Sequence, residues 1–256
     1  MEIFDTHAHL DDEQLLPILD DVILRARAAG VRQMLTVATT ADSSRQCVRI
    51  AQHEGVYAAV GIHPNSCADT APADWDQVLE LTDLPQVVAL GETGLDRYWD
   101  HTPFDVQEEY FDRHLRASQE RDLPFIVHMR DCGDDVLRVL TEARRRGPLR
   151  GVMHSFTGDE DLMRACVDLG LHVSFAGMVT FKKSTDLREV AAAVPRERLL
   201  IETDAPYLSP HPKRGHRPNE PSLVIHTASC LAETCGMDLP AFVSMTTTNA
   251  QRLFRV

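Results

Sequence analysis

Six apolar runs along this chain each stop at a side chain able to bind a metal ion. Ile3-Phe4 breaks into Asp5-Thr6-His7-Ala8-His9, Ala58-Ala59-Val60-Gly61-Ile62 ends at His63, and Val87-Val88-Ala89-Leu90-Gly91 ends at Glu92. Phe125-Ile126-Val127 ends at His128, Gly151-Val152-Met153 at His154, and Leu199-Leu200-Ile201 runs into Glu202-Thr203-Asp204. A buried strand gains nothing from a terminal imidazole or carboxylate, whose desolvation costs free energy unless it is paired. A lone histidine at such an end is usually hydrogen-bonded structure, and an HxH pair arises by chance in a chain with 12 histidines. The shared position at strand ends is what resists that reading. It implies one site assembled from many strands.

The chemistry of such a site is metal-assisted hydrolysis. Imidazoles mixed with carboxylates suit zinc, manganese or iron, and magnesium where carboxylates and substrate oxygens dominate. Two divalent cations per subunit are expected: His7, His9 and Asp204 at one, His128 and His154 at the other, and Glu92 between them. Such a pair lowers the pKa of a water towards neutrality and orients the electrophile. Asp204 is the first candidate for the base that takes the water's proton, with Glu92 also in a catalytic role and Glu202 standing behind the ligands. His101, His114, His172 and His226 fall in expected loops or helices, or away from the strand ends, and are read as ordinary.

Other chemistries find little support. No GxSxG nucleophile elbow is present. Gly91-Glu92-Thr93-Gly94-Leu95-Asp96 follows neither a GxGxxG nor a P-loop spacing. Arg144-Arg145-Arg146 closes an expected helix, where it complements the C-terminal dipole.

The elements that must position these residues alternate strictly. Strands are expected near 2–6, 33–38, 57–62, 86–91, 124–128, 150–154, 171–175 and 198–203. Helices are expected at roughly 13–29, 42–54, 73–82, 104–121, 132–146, 159–169 and 184–194, with two more at about 221–235 and 239–253. Gly30 and Gly55 stand where helix-ending glycines belong, and Asp42 and Asp159 read as N-caps. Strand–helix alternation argues for a parallel sheet, and reactive residues around a whole rim fit a TIM (β/α)8 barrel better than an open sheet with one switch point. Residues two apart on a strand share a face, so His7 and His9 can aim at one centre, as can Glu202 and Asp204. Barrel closure then sets strand 8 beside strand 1 and brings Asp204 to the two histidines.

Composition is consistent with one domain over residues 1–256, with additional C-terminal helices. Hydrophobic residues are 43% of the chain, and no linker or internal repeat divides it. The net charge of −13 opposes a wide duplex-binding face, which needs phosphate neutralisation, while leaving room for a small or single-stranded phosphate ester. Six scattered cysteines without a CxxC pair read as reduced thiols. Met1-Glu2-Ile3-Phe4-Asp5 lacks a secretory pattern and no apolar run approaches a membrane span, so a cytoplasmic protein with neither a membrane nor a stable protein partner is expected.

Taken in order, Asp5-Thr6-His7-Ala8-His9-Leu10-Asp11, Gly61-Ile62-His63-Pro64, Gly91-Glu92-Thr93-Gly94-Leu95-Asp96, Val127-His128-Met129-Arg130-Asp131, His154-Ser155-Phe156-Thr157-Gly158 and Glu202-Thr203-Asp204-Ala205-Pro206-Tyr207-Leu208 resemble the motif series of TatD-type metal-dependent deoxyribonucleases. The resemblance implies a TIM-barrel phosphodiesterase acting on DNA, with metal ligands at His7, His9, Glu92, His128, His154 and Asp204. It sets His63 at a position associated with substrate phosphate. Arg214-Gly215-His216-Arg217-Pro218-Asn219-Glu220-Pro221 resembles the family's R-G-x-x-N-x-P loop with one extra residue. His63 and Arg214 are accordingly expected to hold phosphate oxygens of single-stranded or frayed DNA ends. The alternative is a related amidohydrolase acting on a small amide, lactone or ester. Barrels of that kind often bridge two metals with a strand-4 lysine, whereas Glu92 holds the place here and the only lysines are Lys182, Lys183 and Lys213. A third reading, a non-catalytic barrel that only binds, is weakened by the full ligand set.

Overall fold

Short Val/Ile/Leu-rich runs with no polar face are the signature of parallel strands covered on both sides, and eight of them form the sheet. The computed structural model describes residues 1–256. The strands are β1 (Ile3–Ala8), β2 (Val31–Val37), β3 (Val56–Val60), β4 (Val87–Asp96), β5 (Phe125–Arg130), β6 (Gly151–Met153), β7 (His172–Phe175) and β8 (Leu199–Ile201). They pair in parallel in sequence order, β1 to β8. An Ala8–Ala205 bridge closes the ring, with Asp204 N donating to His7 O at 2.9 Å and His9 N to Ala205 O at 2.7 Å. The expected TIM (β/α)8 barrel is present.

Helices α1 (Leu19–Ala28), α2 (Ala41–Ile50), α3 (Asp74–Leu81), α4 (Phe104–Arg121), α5 (Gly133–Arg144), α6 (Glu160–Asp168), α7 (Thr185–Ala193) and α8 (Val224–Thr234) follow the strands in turn, and α9 (Leu239–Phe254) ends the chain. Asp159 caps α6 as expected, accepting from Leu162 N. The other expected cap is displaced: Thr40 accepts from Ser43 N at the start of α2, while Asp42 lies inside its first turn. Helix α2 also stops at Ile50, so Gly55 is not its end; its φ of +73° serves a turn where a Cβ would sit 2.2 Å from Arg32 O.

Two strands differ from expectation in ways that matter to the site. Strand β4 does not stop at Gly91 but continues to Asp96, with its register to β5 broken between Leu90 and Thr93. Strand β8 stops at Ile201, so Glu202, Thr203 and Asp204 lie beyond it. Asp204 is left-handed, with φ of +55°, and side-chain alternation is therefore not what aims it.

The core has two layers. Between barrel and helices lie Leu10, Phe111, Leu140, Phe156 and Phe175, among many others. Inside the barrel a separate cluster of Phe4, Leu35, Ala59, Val88 and Leu200 packs on Leu253 and Phe254 of α9. Helix α9 is fastened to the N-terminal ends of the strands: Thr247 Oγ1 donates to Glu2 O, and Asn249 Nδ2 to Arg196 O and Leu199 O. All six cysteines are free. No helix is long and apolar enough to cross a membrane.

Candidate metal centre

Because all eight strands point the same way, their C-terminal ends converge on one rim. His7 and His9 leave β1 where its register to β2 slips, between Asp5 and Ala8, the kind of irregularity that re-aims a side chain. Glu92 sits at the register break of β4. At that break β4 approaches β5 closely at a glycine: Gly91 has φ of +144°, and a Cβ there would lie 2.9 Å from Ile126 Cβ. His128 comes from β5, His154 follows β6, and Asp204 hangs from the hydrogen bond that closes the barrel.

These six side chains form one knot. His7 Nε2 and His9 Nε2 are 3.3 Å apart. Glu92 Oε2 lies 3.4 and 3.5 Å from them, and Asp204 Oδ1 3.8 and 3.6 Å. Nitrogen and oxygen donors about 2.1 Å from a tetrahedral ion would stand about 3.4 Å from one another. The second Glu92 oxygen, Oε1, meets His154 Nε2 at 2.8 Å, His128 Nδ1 at 2.9 Å and His63 Nε2 at 3.5 Å. The rings of His7 and His154 stack at 4.0 Å. Glu92 thus stands between two groups of imidazoles, one facing each oxygen.

The residues behind the knot orient it. His9 Nδ1 is tied to Val37 O at 2.8 Å, which leaves its Nε2 for the centre. His154 Nδ1 is held by Glu202 Oε1 at 3.2 Å, and the same oxygen accepts from Ser155 N at 2.7 Å. Glu202 therefore supports a ligand without facing the centre beside Asp204. His7 Nδ1 and Glu202 Oε2 are buried with no hydrogen-bond partner. Unpaired polar atoms at such depth are costly, and these two lie in the His7, His154 and Glu202 group that can hold an ion.

Electrostatics favour positive charge here. Burial alone would raise the Glu92 carboxyl, but the charge of His154 and hydrogen bonds from His128 and His154 hold it well below its usual range. Asp204 is lowered in the same way, with burial opposed by the His9 hydrogen bond and by His154 and His7. Burial opposes protonation of His9, yet Asp204 and Glu92 raise it to about 9. His128 and His154 are raised against the same penalty, by Asp96 and Glu92 and by Glu92 and Glu202 respectively. His7 and His63 go the other way, burial dominating, with His63 pushed down to about 3. Carboxylates that pull protons onto imidazoles would accept cations in their place. The donor set fits divalent metal ions.

The knot floors a cavity of about 870 Å³, whose lining includes His63. Six carboxylates face it, from Asp11, Asp12, Glu92, Asp96, Asp131 and Asp204, against a single arginine, Arg130. Arg214 does not line it: that guanidinium is exposed and lies 3.9 Å over the ring of Phe181. Arg130 is the residue that sequence reasoning passed over, stacked 3.6 Å over Tyr98 beside Trp99.

Asp96 was also missed as a site residue. It receives His128 Nε2 at 3.0 Å and Asn65 Nδ2 at 3.1 Å, and its Oδ1 accepts from Tyr98 N and Trp99 N. The signal was an aspartate at the true end of β4, hidden by two glycines that interrupt the apolar run. Asp5 buttresses the opposite side, accepting from Thr203 N and Thr203 Oγ1, and burial raises its carboxyl to about 8.

Known proteins share this architecture throughout. A family model described as TatD related DNase matches residues 4–255. The chain is 42% identical over 255 residues to YabD of Bacillus subtilis, described as a metal-dependent hydrolase, covering 99% of each. It is 36% identical to the 3′-5′ ssDNA/RNA exonuclease TatD of Salmonella typhimurium, again covering 99% of each. The crystal structure of YjjV, a TatD homologue from Escherichia coli, superposes with a TM-score of 0.92 at 29% identity, covering 99% of this chain and 98% of that one. A rim of imidazoles and carboxylates on a whole-length match of this kind settles the kinship: the chain belongs to the TatD-related DNase family of metal-dependent hydrolases.

Proposed function

We propose that the protein is a phosphodiesterase that trims single-stranded or frayed DNA ends. The observation that carries this reading is the six-residue knot divided by Glu92, set in a cavity whose other walls are acidic. Divalent cations held by His7, His9 and Asp204, by His128 and His154, and by Glu92 in common would supply Lewis-acid activation of both water and a phosphoryl group. The chain's own groups do the rest. Asp204 keeps part of its side chain, 13%, open to the cavity and is placed to take a proton from the attacking water. Neutral His63, whose Nδ1 accepts from Asn65 N at 3.1 Å, presents an Nε2–H that can donate to a phosphate oxygen. Arg130 offers a second donor from the wall.

Unpaired strands are favoured by the aromatic side chains at the mouth. Trp99 and Tyr207 line the cavity while remaining about half exposed, at 45% and 51%, and such rings stack on unpaired bases. An exonuclease among the relatives acts on single-stranded DNA and RNA. The small-ester alternative gains nothing from the geometry, since no lysine reaches the cavity. The test is hydrolysis of end-labelled single-stranded, blunt duplex and closed circular DNA, with a chelator and then with magnesium, manganese or zinc restored. Metal-dependent loss of terminal nucleotides from single strands is expected. Full activity in verified metal-free protein, or faster cutting of closed circles than of strand ends, would overturn the reading.

A further inference from the structure

All three lysines of this chain lie in two loops that touch. Lys182 and Lys183 follow the short turn Gly177–Thr180 after β7, and Lys213 lies in the long loop that leaves Asp204 for α8. Arg214 and Arg217 share that second loop. The two loops are joined closely: His211 N donates to Thr180 Oγ1 at 2.7 Å, a Cβ on Gly177 would strike Leu208 O, and Arg214 covers Phe181. The two joined loops thus carry five cations between them, and Met178, Tyr207 and Leu208 of the same loops line the cavity.

These cations are free in a way that most of the others are not. None of Lys182, Lys183, Lys213, Arg214 and Arg217 forms an ion pair, whereas surface arginines such as Arg97, Arg116, Arg121, Arg146 and Arg255 are tied to aspartates. No carboxylate occurs from Phe181 to Thr185 or from Ala205 to Asn219; Asp186 is the first beyond the shorter segment. The loops are also held in shape. Buried Asn219 donates to Thr203 O and Tyr207 O, Ser209 Oγ donates to His216 O, and Arg188 donates to Val179 O and Phe181 O. In a chain of net charge −13, a preformed and unpaired positive strip suits a polyanion whose charges are spaced along a flexible backbone.

We propose that this strip is a backbone track. It holds phosphates of a single strand several nucleotides away from the bond being cut, so that long strands bind better than short ones. The inference rests on the nuclease reading for its choice of polyanion. The acidic cavity supplies the geometric reason: only the phosphate at the metal knot is welcome inside, so the rest of the strand must leave over a rim, and this rim is the positive one.

The experiment compares the unaltered protein with the triple variant Lys182→Gln/Lys183→Gln/Lys213→Gln. Binding of fluorescent single strands of 4 and 20 nucleotides is followed by anisotropy across a salt series. Turnover of a small aryl phosphodiester is measured alongside. Three lost single-strand contacts should make the log-log salt slope for the 20-mer shallower by about 2, or about 20-fold over a fourfold rise in salt. The advantage of the 20-mer over the 4-mer should shrink by a similar factor, since Arg214 and Arg217 remain, with small-ester turnover retained. An unchanged slope and length preference would overturn the track. So would displacement of the 20-mer by an acidic peptide or anionic vesicles at lower concentration than by unlabelled strand, which would assign the strip to another partner. Failure of the nuclease reading looks different, since strands would then bind on the strip and never be cut.

Discussion

At the N-terminal end of the barrel the interior is filled by Phe4, Leu35, Ala59, Val88 and Leu200, with Leu253 and Phe254 of α9 packed beneath. At the C-terminal end the same strands turn imidazoles and carboxylates towards one another, leaving His7 Nδ1 and Glu202 Oε2 without partners. One end gains stability from buried apolar surface. The other gathers carboxylates against imidazoles, an arrangement that holds protons or takes cations in their place. Parallel strands make this division possible, because every strand begins at one end and finishes at the other, so residue choice along each strand can be sorted by depth. The polar end can be reactive because the apolar end secures the fold without it.

If that division is real, damage at the two ends should separate cleanly. The largest effect is expected from Asp204→Asn. It removes a charge from the knot and a proton acceptor from the cavity, and loss of the proton acceptor alone costs on the order of 10²–10⁴ in kcat. The metal-free protein should stay folded, because Asp204 N remains bonded to His7 O and an asparagine can still accept from His9, although loss of the charge that raises His9 will shift its melting temperature with pH. Near-native turnover would move the base role to Glu92 or another group. Phe254→Ala tests the other end. It empties space beneath Phe4, whose ring centroid is 5.9 Å away, and should cost about 3–5 kcal/mol in chemical denaturation. Turnover per folded molecule should hold. A comparable loss of kcat would mean that the ends are coupled.

Histidines outside the knot sharpen the contrast through pH. Carboxylates pull His9, His128 and His154 up, whereas burial pushes His114 and His172 down to about 4. His114 is fully buried on α4, its Nδ1 meeting Tyr110 O at 2.7 Å and its Nε2 accepting from Ile62 N at 3.1 Å. Between pH 6.5 and 4 the unfolded chain binds a proton at this position that the folded chain refuses. Stability is therefore full above about 6.5 and falls as pH drops through that window, by up to about 3 kcal/mol for His114. Denaturation midpoints at pH 7 and 4.5 should differ less in His114→Gln than in the unaltered protein. Equal differences would remove His114 from the acid response.

The contrast between the ends also explains which features were legible in the sequence. The runs before His63, His128 and His154 stand out because parallel strands buried on both faces must be almost wholly apolar. Strand β4 was cut short at Gly91, since Gly91 and Gly94 break that pattern while the backbone pairing continues, and Asp96 was lost with it. Barrel closure brings Asp204 to the histidines as expected, but a left-handed turn at Asp204 and its hydrogen bond to His7 O aim it, so it does not share a face with Glu202 by strand alternation. Arg130 lines the cavity where Arg214 was expected, because loop conformation, which no periodicity records, decides which cation faces it. The lysine strip was hidden for the same reason: the loops that carry Lys182 and Lys213 are joined only by packing, through contacts such as His211 N to Thr180 Oγ1.

The smallest expected effect belongs to a residue of the polar end that should behave like one of the apolar end. Thr40 lies between β2 and α2, next to the loop that carries His63, and His63 N donates to Thr39 O at 2.9 Å. Its hydroxyl accepts from Ser43 N at 3.1 Å, satisfying one of the amides left open at the start of α2. Thr40→Ala should cost about 1 kcal/mol of stability. Asp42→Ala, which touches only an exposed ion pair with Arg45, should cost no more than a few tenths. Neither should change kcat by more than about twofold, because neither side chain lines the cavity. A larger cost for Asp42→Ala would return the cap to the position that the sequence suggested. A large fall in kcat for Thr40→Ala with intact stability would show that the rim's loops, and not only its ligands, are tuned for the reaction.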